Sequence, residues 1–290
     1  MRVFVFGMGY SSEATAAALH KLGDSAIPVV GTTRGDTAGP TEALRLHAFA
    51  GDAPSPALRP DLARATHLIA SIPPDAEGDP VLRHHSADLA VAPDLQWLGY
   101  FSTVGVYGDF GGAWIDETAA TTPTSARGRQ RLLAEQQWRE FAESLGVPLL
   151  ILRLAGIYGP GRSPFDKLRD GTAHRIVKPG QVFNRIHVAD IGRITALAAL
   201  QNRGGTFNLA DDLPAPPQEV VAHAAGLLHL TPPPERDYAT ADLTPMARSF
   251  YADNKRVSNA AIKDVLGVEL LYPTFREGLA AIRSAESVSA

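Results

Sequence analysis

Glycines and hydroxyl side chains near the amino terminus have a spacing that suits a diphosphate. Between an apolar run and a stretch of helical period, the chain reads Gly7-Met8-Gly9-Tyr10-Ser11-Ser12. The first glycine permits a tight turn, the second lets the backbone approach a pyrophosphate, and the N–H groups that begin the helix face the anion. A small residue, Ser12, stands where a third glycine is usual. The segment predicts a dinucleotide site, although a Gly-x-Gly turn also occurs without a ligand.

Residues that end later strands indicate which dinucleotide binds. The second predicted strand ends at Thr33 and Arg34, without a carboxylate for a ribose 2′-hydroxyl. Arg34 suits a 2′-phosphate, so NADP is predicted ahead of NAD; the alternative is that Arg34 is a solvated loop residue. Asp52 is placed either near the adenine amine or in a turn. The segment Ser71-Ile72-Pro73 ends the fourth strand, where the cofactor would pass.

The elements that position these residues follow from apolar runs that alternate with helical periods, as in βαβ units. The predicted strands are Arg2–Phe6, Ile27–Thr33, Leu46–Ala50, His67–Ser71, Gln96–Ser102, Pro148–Leu154 and Thr206–Leu209. The predicted helices are Tyr10–Leu22, 123–145, Ile191–Gln201, Pro216–Leu228 and Pro273–Ala281. Gly23 is expected to be a left-handed cap, and Thr122 and Asp190 are expected to be N-caps of their helices.

This alternation predicts an α/β fold with a Rossmann-type, doubly wound parallel sheet and a small C-terminal lobe that caps the substrate. The dinucleotide-binding domain is assigned to residues 1–160, with return segments at 184–211 and 251–265. The cap lobe takes residues 161–183 and 212–290, where glycine and proline are frequent.

Bulk composition excludes several classes of protein. With 45% apolar residues, 20% charged residues and a net charge of −4, the chain has the balance of a soluble globule and no surplus of cations for nucleic acid. It has no cysteine, which excludes disulfides and thiolate metal sites. Neither a membrane-spanning run nor a metal-ligand cluster is found, so a cytoplasmic location without nucleic-acid or membrane partners is predicted.

Five further segments occur in an order typical of one family. They read Phe101-Ser102-Thr103-Val104-Gly105-Val106-Tyr107-Gly108, Leu152-Arg153-Leu154-Ala155-Gly156-Ile157-Tyr158-Gly159-Pro160, Arg185-Ile186-His187-Val188-Ala189-Asp190, Thr206-Phe207-Asn208-Leu209-Ala210 and Tyr251-Ala252-Asp253-Asn254-Lys255. Together they resemble the extended short-chain dehydrogenase/reductase family, in its epimerase/dehydratase branch. The resemblance spans nearly the whole chain and implies an NAD(P)-dependent enzyme.

The resemblance also implies where catalysis occurs. It places the hydroxyl that binds the reacting oxygen at Thr103, with Ser102 adjacent, but the family's tyrosine and lysine positions fall on Arg127 and Arg131. An arginine does not transfer protons near neutral pH. Arg131 is therefore predicted to bind the cofactor's ribose or pyrophosphate, and Arg127 to clamp a substrate anion. The alternative is that both arginines form surface salt bridges.

Two aromatic residues and a histidine remain as candidates near the site. Tyr107 is the predicted surrogate for the missing phenol, although in relatives it lies beside the substrate without acting as the acid. The resemblance places Ile157 and Tyr158 against the cofactor and cap; the alternative for Tyr158 is a packed aromatic residue. His187 is expected to be a core histidine rather than a catalytic one.

The cap segment has a surplus of cations, which either hints at an anionic ligand or reflects a solvated loop. These cations are Arg162, Lys167, Arg169, Arg175 and Lys178. Relatives that bind sugar nucleotides usually have an arginine at the position of Phe183, whereas this chain has Arg185, two residues later. That displacement weakens the case for a nucleotide-sugar substrate.

Two classes of function remain. The first is an NADP-binding epimerase or reductase that acts on a small, anionic substrate without the usual Tyr/Lys pair. The second is a non-catalytic NAD(P)H-binding redox sensor or regulatory protein. The resemblance also raises the prediction of a homodimer formed through the 124–145 helix, which contains Leu132, Leu133 and Trp138. If the homodimer forms, exposed apolar residues on that helix should form a patch.

Overall fold

Strands and helices alternate along the chain in a computed structural model that describes residues 1–35 and 44–289. The strands are β1 (Val3–Phe6), β2 (Val29–Thr33), β3 (Leu44–Ala48), β4 (His67–Ala70), β5 (Trp97–Thr103), β6 (Trp114–Ile115), β7 (Leu149–Leu154), β8 (Gly156–Tyr158), β9 (Arg175–Val177), β10 (Arg185–His187), β11 (Gly205–Leu209), β12 (Glu235–Asp237) and β13 (Arg256–Val257). The helices are α1 (Tyr10–Leu22), α2 (Arg59–Leu62), α3 (Pro80–Ala90), α4 (Ala126–Leu145), α5 (Pro164–Arg169), α6 (Val188–Leu200), α7 (Pro217–Leu227), α8 (Pro245–Phe250), α9 (Ala260–Leu266) and α10 (Phe275–Ser289). Pro56–Leu58 and Val104–Val106 form short 3₁₀ turns.

Seven strands form the central sheet, in the order β11-β7-β5-β4-β1-β2-β3. β1 pairs in parallel with β2 on one side and with β4 on the other. The chain therefore reverses its direction of travel across the sheet beside β1, which is the switch point where α/β sheets place ligands. The predicted α/β class with a doubly wound parallel sheet is confirmed.

Contacts between residues group the chain into two compact units. The first unit contains residues 1–106, 126–153 and 191–207, and the second unit contains 107–125, 154–190 and 208–290. The boundaries of the predicted dinucleotide-binding domain and cap lobe stay predictions.

The first unit is built around strands that are buried along their whole length. All residues of β1 and β4 are buried, and β5 is buried from Trp97 to Ser102. Strands covered by helices on both faces read as continuous apolar runs, which explains why the sequence locates them well. The inner face of α4 adds Trp138, which stacks on Tyr100 with ring centroids 6.0 Å apart.

The second unit has its own apolar core and three short two-stranded sheets. Its core includes Tyr158, Phe165, Phe275 and Leu279. Strand β8 pairs in parallel with β10, β9 with β12, and β6 with β13. These pairs join segments far apart in sequence, and only the first contains residues of the predicted site.

Helix α4 begins three residues later than the sequence predicts. Its first residue is Ala126 rather than Pro123. Thr122 is not an N-cap, because both its N–H and its hydroxyl donate to the carbonyl oxygen of Tyr107, at 3.3 and 2.9 Å. Long-range hydrogen bonding therefore overrides the local signal of a threonine followed by proline.

Two other predicted caps are also wrong. Gly23 ends α1 with a φ of −97°, which is not left-handed. Asp190 lies inside the first turn of α6, and its carboxylate accepts hydrogen bonds from the N–H groups of Leu271 (2.6 Å) and Tyr272 (3.1 Å). The aspartate therefore fixes a distant loop of the second unit instead of capping its own helix.

Among the described residues, no helix is both long and apolar enough to cross a membrane.

Candidate functional site

The predicted dinucleotide turn connects β1 to α1. Gly7 has a φ of +90°, a conformation that favours glycine. Its N–H donates to Thr32 Oγ1 at 2.9 Å, and the N–H of Met8 donates to the Thr32 carbonyl at 2.7 Å. A Cβ on Gly7 would lie 3.1 Å from Ile72 Cγ1. The end of β2 and the chain after β4 therefore hold the turn in place.

Gly9 stands at the N-cap of α1, and the space beside it is open. A Cβ built on Gly9 would meet no atom within 4 Å. Its backbone is extended, with φ −129° and ψ −171°, so Gly9 is not needed there for its conformational freedom. Ser12, one turn into the helix, is completely buried, as close packing of helix and strand requires. The turn thus has the room and the helix start that a diphosphate needs.

The structure brings the segment after β4 beside this turn. Ser71 donates from its N–H to the carbonyl of Phe6 at 2.9 Å and from its hydroxyl to the carbonyl of Gly7 at 3.2 Å. Ser71 and Ile72 are half-buried and Pro73 is exposed. Two predicted parts of the cofactor site are therefore adjacent.

Predicted contacts to the ribose and adenine lie at the ends of β2 and β3. Thr33 is half-buried, and its Oγ1 accepts a hydrogen bond from the N–H of Gly35 at 3.2 Å. The side chain of Arg34 is exposed. Asp52 is also exposed and follows Gly51, whose carbonyl is 3.1 Å from His84 Nε2. Arg34 and Asp52 thus keep their charged groups in solvent.

The neighbouring hydroxyls at the end of β5 differ in their surroundings. Ser102 is buried and donates to Glu135 Oε1 at 2.6 Å. Thr103 is half-buried, and its Oγ1 accepts from the N–H of Gly105 at 3.1 Å. Only Thr103 leaves its hydroxyl hydrogen without an acceptor among the described residues, so it is the hydroxyl that remains available to a substrate.

Helix α4 contains neither tyrosine nor lysine, and its two candidate arginines differ. Arg127 is exposed and has no hydrogen-bond or ion-pair partner in the described part of the chain. Arg131 is half-buried, and its Nη1 donates to Tyr100 Oη at 3.1 Å and to the carbonyl of Phe101 at 2.7 Å. Neither arginine forms the surface salt bridge considered above. Arg131 is instead bound to β5.

Tyr100 was not singled out from the sequence, yet it forms a tyrosine–arginine pair with Arg131. The guanidinium carbon of Arg131 lies 5.6 Å from the centre of the Tyr100 ring. Tyr100 is fully buried, and this burial raises the pKa of its phenol well above the ordinary value. The phenol therefore stays protonated and serves as a partner for Arg131.

A second network on α4 is also absent from the sequence predictions. Glu135 is completely buried, and its carboxylate contacts Arg153 at 2.8 Å and Arg139 at 3.3 Å in addition to Ser102. The signals were present: arginines stand four residues on either side of Glu135, and Arg153 interrupts an apolar strand. A charge in such a strand needs a buried partner of opposite sign.

Tyr107, the predicted surrogate phenol, belongs to the second unit and is fully buried. Its hydroxyl donates to Asn208 Oδ1 at 2.7 Å. The backbone N–H of Asn208 in turn donates to the side-chain oxygen Oε1 of Glu117 at 2.7 Å. Within this unit the phenol has a structural hydrogen bond, and a proton-transfer role stays a prediction.

Ile157 and Tyr158 lie on β8, and the described contacts of Tyr158 are with other residues of the second unit. Its hydroxyl donates to the carbonyl of Thr274 at 3.3 Å, and its ring leaves no room for a Cβ on Gly278. His187, on β10, packs edge-on against Tyr158 with ring centroids 5.1 Å apart. Burial lowers the pKa of His187 to about 4, so the ring is neutral. Both residues have the packing of core side chains.

Several cations in the predicted cap segment are paired with acids or carbonyls. Arg175 forms an ion pair with Glu235 at 2.6 Å, and Arg169 pairs with Glu286. Lys178 donates to the carbonyl of Tyr251. Their number is therefore not by itself a sign of an anion site.

The three apolar residues named on the 124–145 helix do not form an exposed patch together. Of the three named residues only Leu133 is exposed, at 37%, whereas Leu132 is half-buried and Trp138 is completely buried. The homodimer stays a prediction without that patch. Within the described ranges, no group of His, Asp and Glu side chains is arranged to hold a metal ion.

Comparison with known proteins adds a family and a fold. Residues 87–210 match the family described as NAD dependent epimerase/dehydratase family. Protein YeeZ of Escherichia coli (strain K12) is 30% identical over 194 residues, which are 64% of this chain and 62% of YeeZ. The chain thus spans less than two thirds of the length of that relative.

Solved structures match over nearly the full length. A protein of unknown function from Silicibacter pomeroyi DSS is 44% identical, with a TM-score of 0.84, over 98% of this chain and 99% of that one. UDP-glucuronic acid 4-epimerase from Bacillus cereus, in complex with NAD, has a TM-score of 0.76 over 99% of each chain. At 17% identity, the latter match shows a shared fold.

Proposed function

Because residues 87–210 match the NAD dependent epimerase/dehydratase family, we propose that the chain is a member of it, binds a nicotinamide dinucleotide and acts as an epimerase or reductase on a small, anionic substrate. The observation that carries this proposal is the open space beside Gly9, at the start of α1 and at the switch point of the sheet. A fold neighbour that binds NAD, the epimerase from Bacillus cereus, supports the class of cofactor.

The residues of the first unit suit each part of the cofactor. The N–H groups of the turn from Gly7 to Ser12 would bind the diphosphate, and the segment 71–73 would line its path. Thr33 and the exposed guanidinium of Arg34 would bind a 2′-phosphate, so NADP is favoured over NAD. Asp52 would lie near the adenine. The bound nicotinamide would supply hydride transfer.

The residues proposed to lie around the nicotinamide include hydrogen-bond donors but not the tyrosine that usually transfers the proton. The hydroxyl of Thr103 would polarise the reacting oxygen of the substrate. Arg127, which is exposed and has no described partner, would bind an anionic group of the substrate through its planar fork. Proton transfer would use Tyr107 or water, because α4 lacks the usual acid.

A second candidate function is a non-catalytic sensor of NAD(P)H. The observation that favours it is that Arg131, at the position of the family's lysine, donates hydrogen bonds to Tyr100 and to the carbonyl of Phe101. Arg131 would then have a structural role rather than a role in catalysis. A protein with a dinucleotide turn and neither tyrosine nor lysine on α4 can report cofactor occupancy without turnover.

One experiment separates the two functions. NADPH is added to the purified protein, and its absorbance is followed with a panel of sugars, aldehydes and keto acids. Oxidation of NADPH with an anionic member of the panel supports the enzyme. Tight binding without NADPH oxidation, and without conversion of any compound to its epimer, supports the sensor, and failure to bind both NADPH and NADH refutes both functions.

A double substitution tests whether the acid has been lost. Arg127→Tyr with Arg131→Lys restores the family's residue types at a spacing of four on α4. If reductase activity arises only in the double variant, the absence of the tyrosine and lysine is what limits the wild-type protein. If wild-type turnover disappears, the arginines themselves take part in the reaction.

A further inference from the structure

The loop that carries Asp52 is held at both ends by helix α3. Gly51 begins this loop and is buried, and Ser55 ends it. The carbonyl of Gly51 accepts a hydrogen bond from His84 Nε2 at 3.1 Å, and the N–H of Ser55 donates to His85 Nε2 at 3.3 Å. Asp52, between these two contacts, is exposed. Two adjacent histidines therefore fix the loop while its carboxylate stays in solvent.

The two histidines must have opposite tautomers. A carbonyl oxygen only accepts, so Nε2 of His84 carries the ring proton; a backbone N–H only donates, so Nε2 of His85 is an acceptor. The proton of the His85 ring is then on Nδ1, which lies 3.0 Å from Asp88 Oδ2. The hydrogen bond at one ring nitrogen sets the tautomer at the other. Asp88 therefore keeps His85 in the form that binds the loop.

The surroundings of His85 keep its ring in one orientation. The residue is 1% exposed, and its ring centroid lies 5.1 Å from that of Phe49 and 5.7 Å from that of Phe6. Asp88 is itself held by Arg59, whose Nε lies 2.9 Å from Oδ1. Close packing against aromatic rings and hydrogen bonds at both nitrogens leave the imidazole little freedom to turn. The end of the loop is therefore set by this ring.

The position of the loop matters for the recognition of an adenine base. The exocyclic amine of adenine donates hydrogen bonds, and a carboxylate accepts them. Such a charge-assisted hydrogen bond is about 2.7–2.9 Å long, so a shift of the loop by about 1 Å breaks it. Hypoxanthine has a carbonyl oxygen in place of the amine, and this oxygen would repel the carboxylate of Asp52. A loop held in place can therefore distinguish the two bases.

We propose that His85, oriented by Asp88, is a positioning residue that holds the loop from Gly51 to Ser55, so that Asp52 selects adenine dinucleotides over their hypoxanthine analogues. This inference rests on the proposed function, which places Asp52 near the adenine. His85 acts through the N–H of Ser55, because its own ring is buried. All of these residues belong to the first unit.

Calorimetric titration of the whole chain with two dinucleotides tests the inference. The probes are NADPH and reduced nicotinamide hypoxanthine dinucleotide phosphate, which differ in the base alone. We expect the wild type to bind NADPH about tenfold more tightly, as one hydrogen bond to a charged group provides. His85→Phe keeps a ring in the same space without an acceptor, and should reduce this ratio to about twofold or less by weakening NADPH binding.

Two further variants separate positioning from a general loss of stability, which urea denaturation measures for each protein. His85→Gln places an amide oxygen near the position of Nε2, and should restore most of the preference for NADPH. The matched control is His20→Phe, which removes a hydrogen bond from a histidine of α1 to the carbonyl of Ile27, 2.9 Å from Nε2. It should leave the ratio of affinities unchanged.

A double variant tests whether His85 acts through Asp52. Asp52→Ala alone should remove the preference for NADPH, and the addition of His85→Phe should reduce it no further, because both changes break the same contact. A further loss of preference in the double variant would show that His85 acts on the base by another route, and would overturn the inference.

The remaining outcomes distinguish the inference from the proposed function. A preference that persists in a folded His85→Phe variant, or that is lost equally in His20→Phe, overturns the inference and leaves the proposed function intact. Equal affinity of the wild type for both probes also overturns the inference, although it shows that a dinucleotide binds. The absence of binding with both probes contradicts the proposed function, and the inference with it.

Discussion

The glycine turn and the inner face of α4, both in the first unit, are built in opposite ways. The turn uses backbone groups, and beside Gly9 it leaves space that no described atom fills. On α4, side chains fill the available space and satisfy one another. Arg131 binds Tyr100, and Glu135 binds Ser102 and Arg153. The turn therefore leaves room for a ligand, whereas these polar side chains of α4 are already bonded to other residues of the protein.

This difference teaches that two regions of one chain can differ in how much room they leave for a ligand. A dinucleotide turn needs small residues and a helix start, and both are present. Acid–base catalysis needs a titratable group at one position, and Arg127 does not provide it. The polar groups of α4 have become part of the interior, where they contribute to stability. The comparison can be tested in both regions.

The largest effect is expected from Glu135→Gln. This change removes a carboxylate charge that contacts the buried Arg153 at 2.8 Å. Because the buried guanidinium loses this ion pair, the free energy of unfolding should fall by about 3–5 kcal/mol. Urea denaturation measures it. Glu140→Gln, the same change at an exposed residue of α4, should alter stability by less than about 0.5 kcal/mol. Equal unfolding midpoints of the two variants would show that the network does not stabilise the helix.

The next largest effect is expected from Gly9→Ala, which should weaken binding of NADPH without lowering the stability of the protein. Gly9→Ala fits the extended backbone and open space, so the free energy of unfolding should change by less than about 0.5 kcal/mol. The methyl group would occupy the space for the diphosphate, and the Kd for NADPH should rise at least about tenfold. The control is Gly7→Ala, which should destabilise the protein by about 1 kcal/mol, because its φ is +90° and Ile72 is close. Unchanged NADPH affinity in Gly9→Ala would remove the main support for the site.

A smaller effect concerns the choice of dinucleotide. Arg34→Ala should weaken NADPH binding by about tenfold and leave NADH binding unchanged, because the lost contact is a charge-assisted hydrogen bond to the 2′-phosphate. Arg64→Ala serves as the control, since Arg64 is equally exposed but precedes β4 instead of following a strand. Parallel titrations with both nucleotides measure the ratio. An equal loss of affinity for NADH would contradict the assignment.

The smallest effect is expected on the outer side of α4. Arg127→Ala should change the melting temperature by no more than about 1 °C, because Arg127 is exposed and has no described partner. Arg131→Ala should lower it clearly, since two hydrogen bonds to β5 are lost. Thermal unfolding followed by circular dichroism compares the two. Equal shifts would mean that the arginines do not differ as described.

The first βαβ region is the part that sequence predicts best. β1 was predicted as Arg2–Phe6 and is Val3–Phe6, and α1 has the predicted bounds. The signals there are local, because an apolar run, two glycines and a helical period follow one another within a few residues. The segment after β4 lies beside the turn because neighbouring parallel strands end at the same edge of the sheet.

What the sequence did not predict depends on long-range contacts. The local sequence predicts Thr122 as a helix cap, but in the structure its N–H and its hydroxyl both donate to the carbonyl of Tyr107. The orientation of the Arg131 side chain depends on its hydrogen bond to Tyr100, which lies 31 residues earlier in the chain. Arg185 and Asp211 become neighbours through a backbone hydrogen bond between separate segments. Spacing alone carries no information on such pairs.

The central claim is that the first unit holds a nicotinamide dinucleotide at the turn from Gly7 to Ser12. Calorimetric titration of the purified wild-type protein with NADPH and then with NADH tests it most directly. We expect saturable binding of NADPH at a single site, tighter than that of NADH. The absence of saturable heat with both nucleotides would contradict the account.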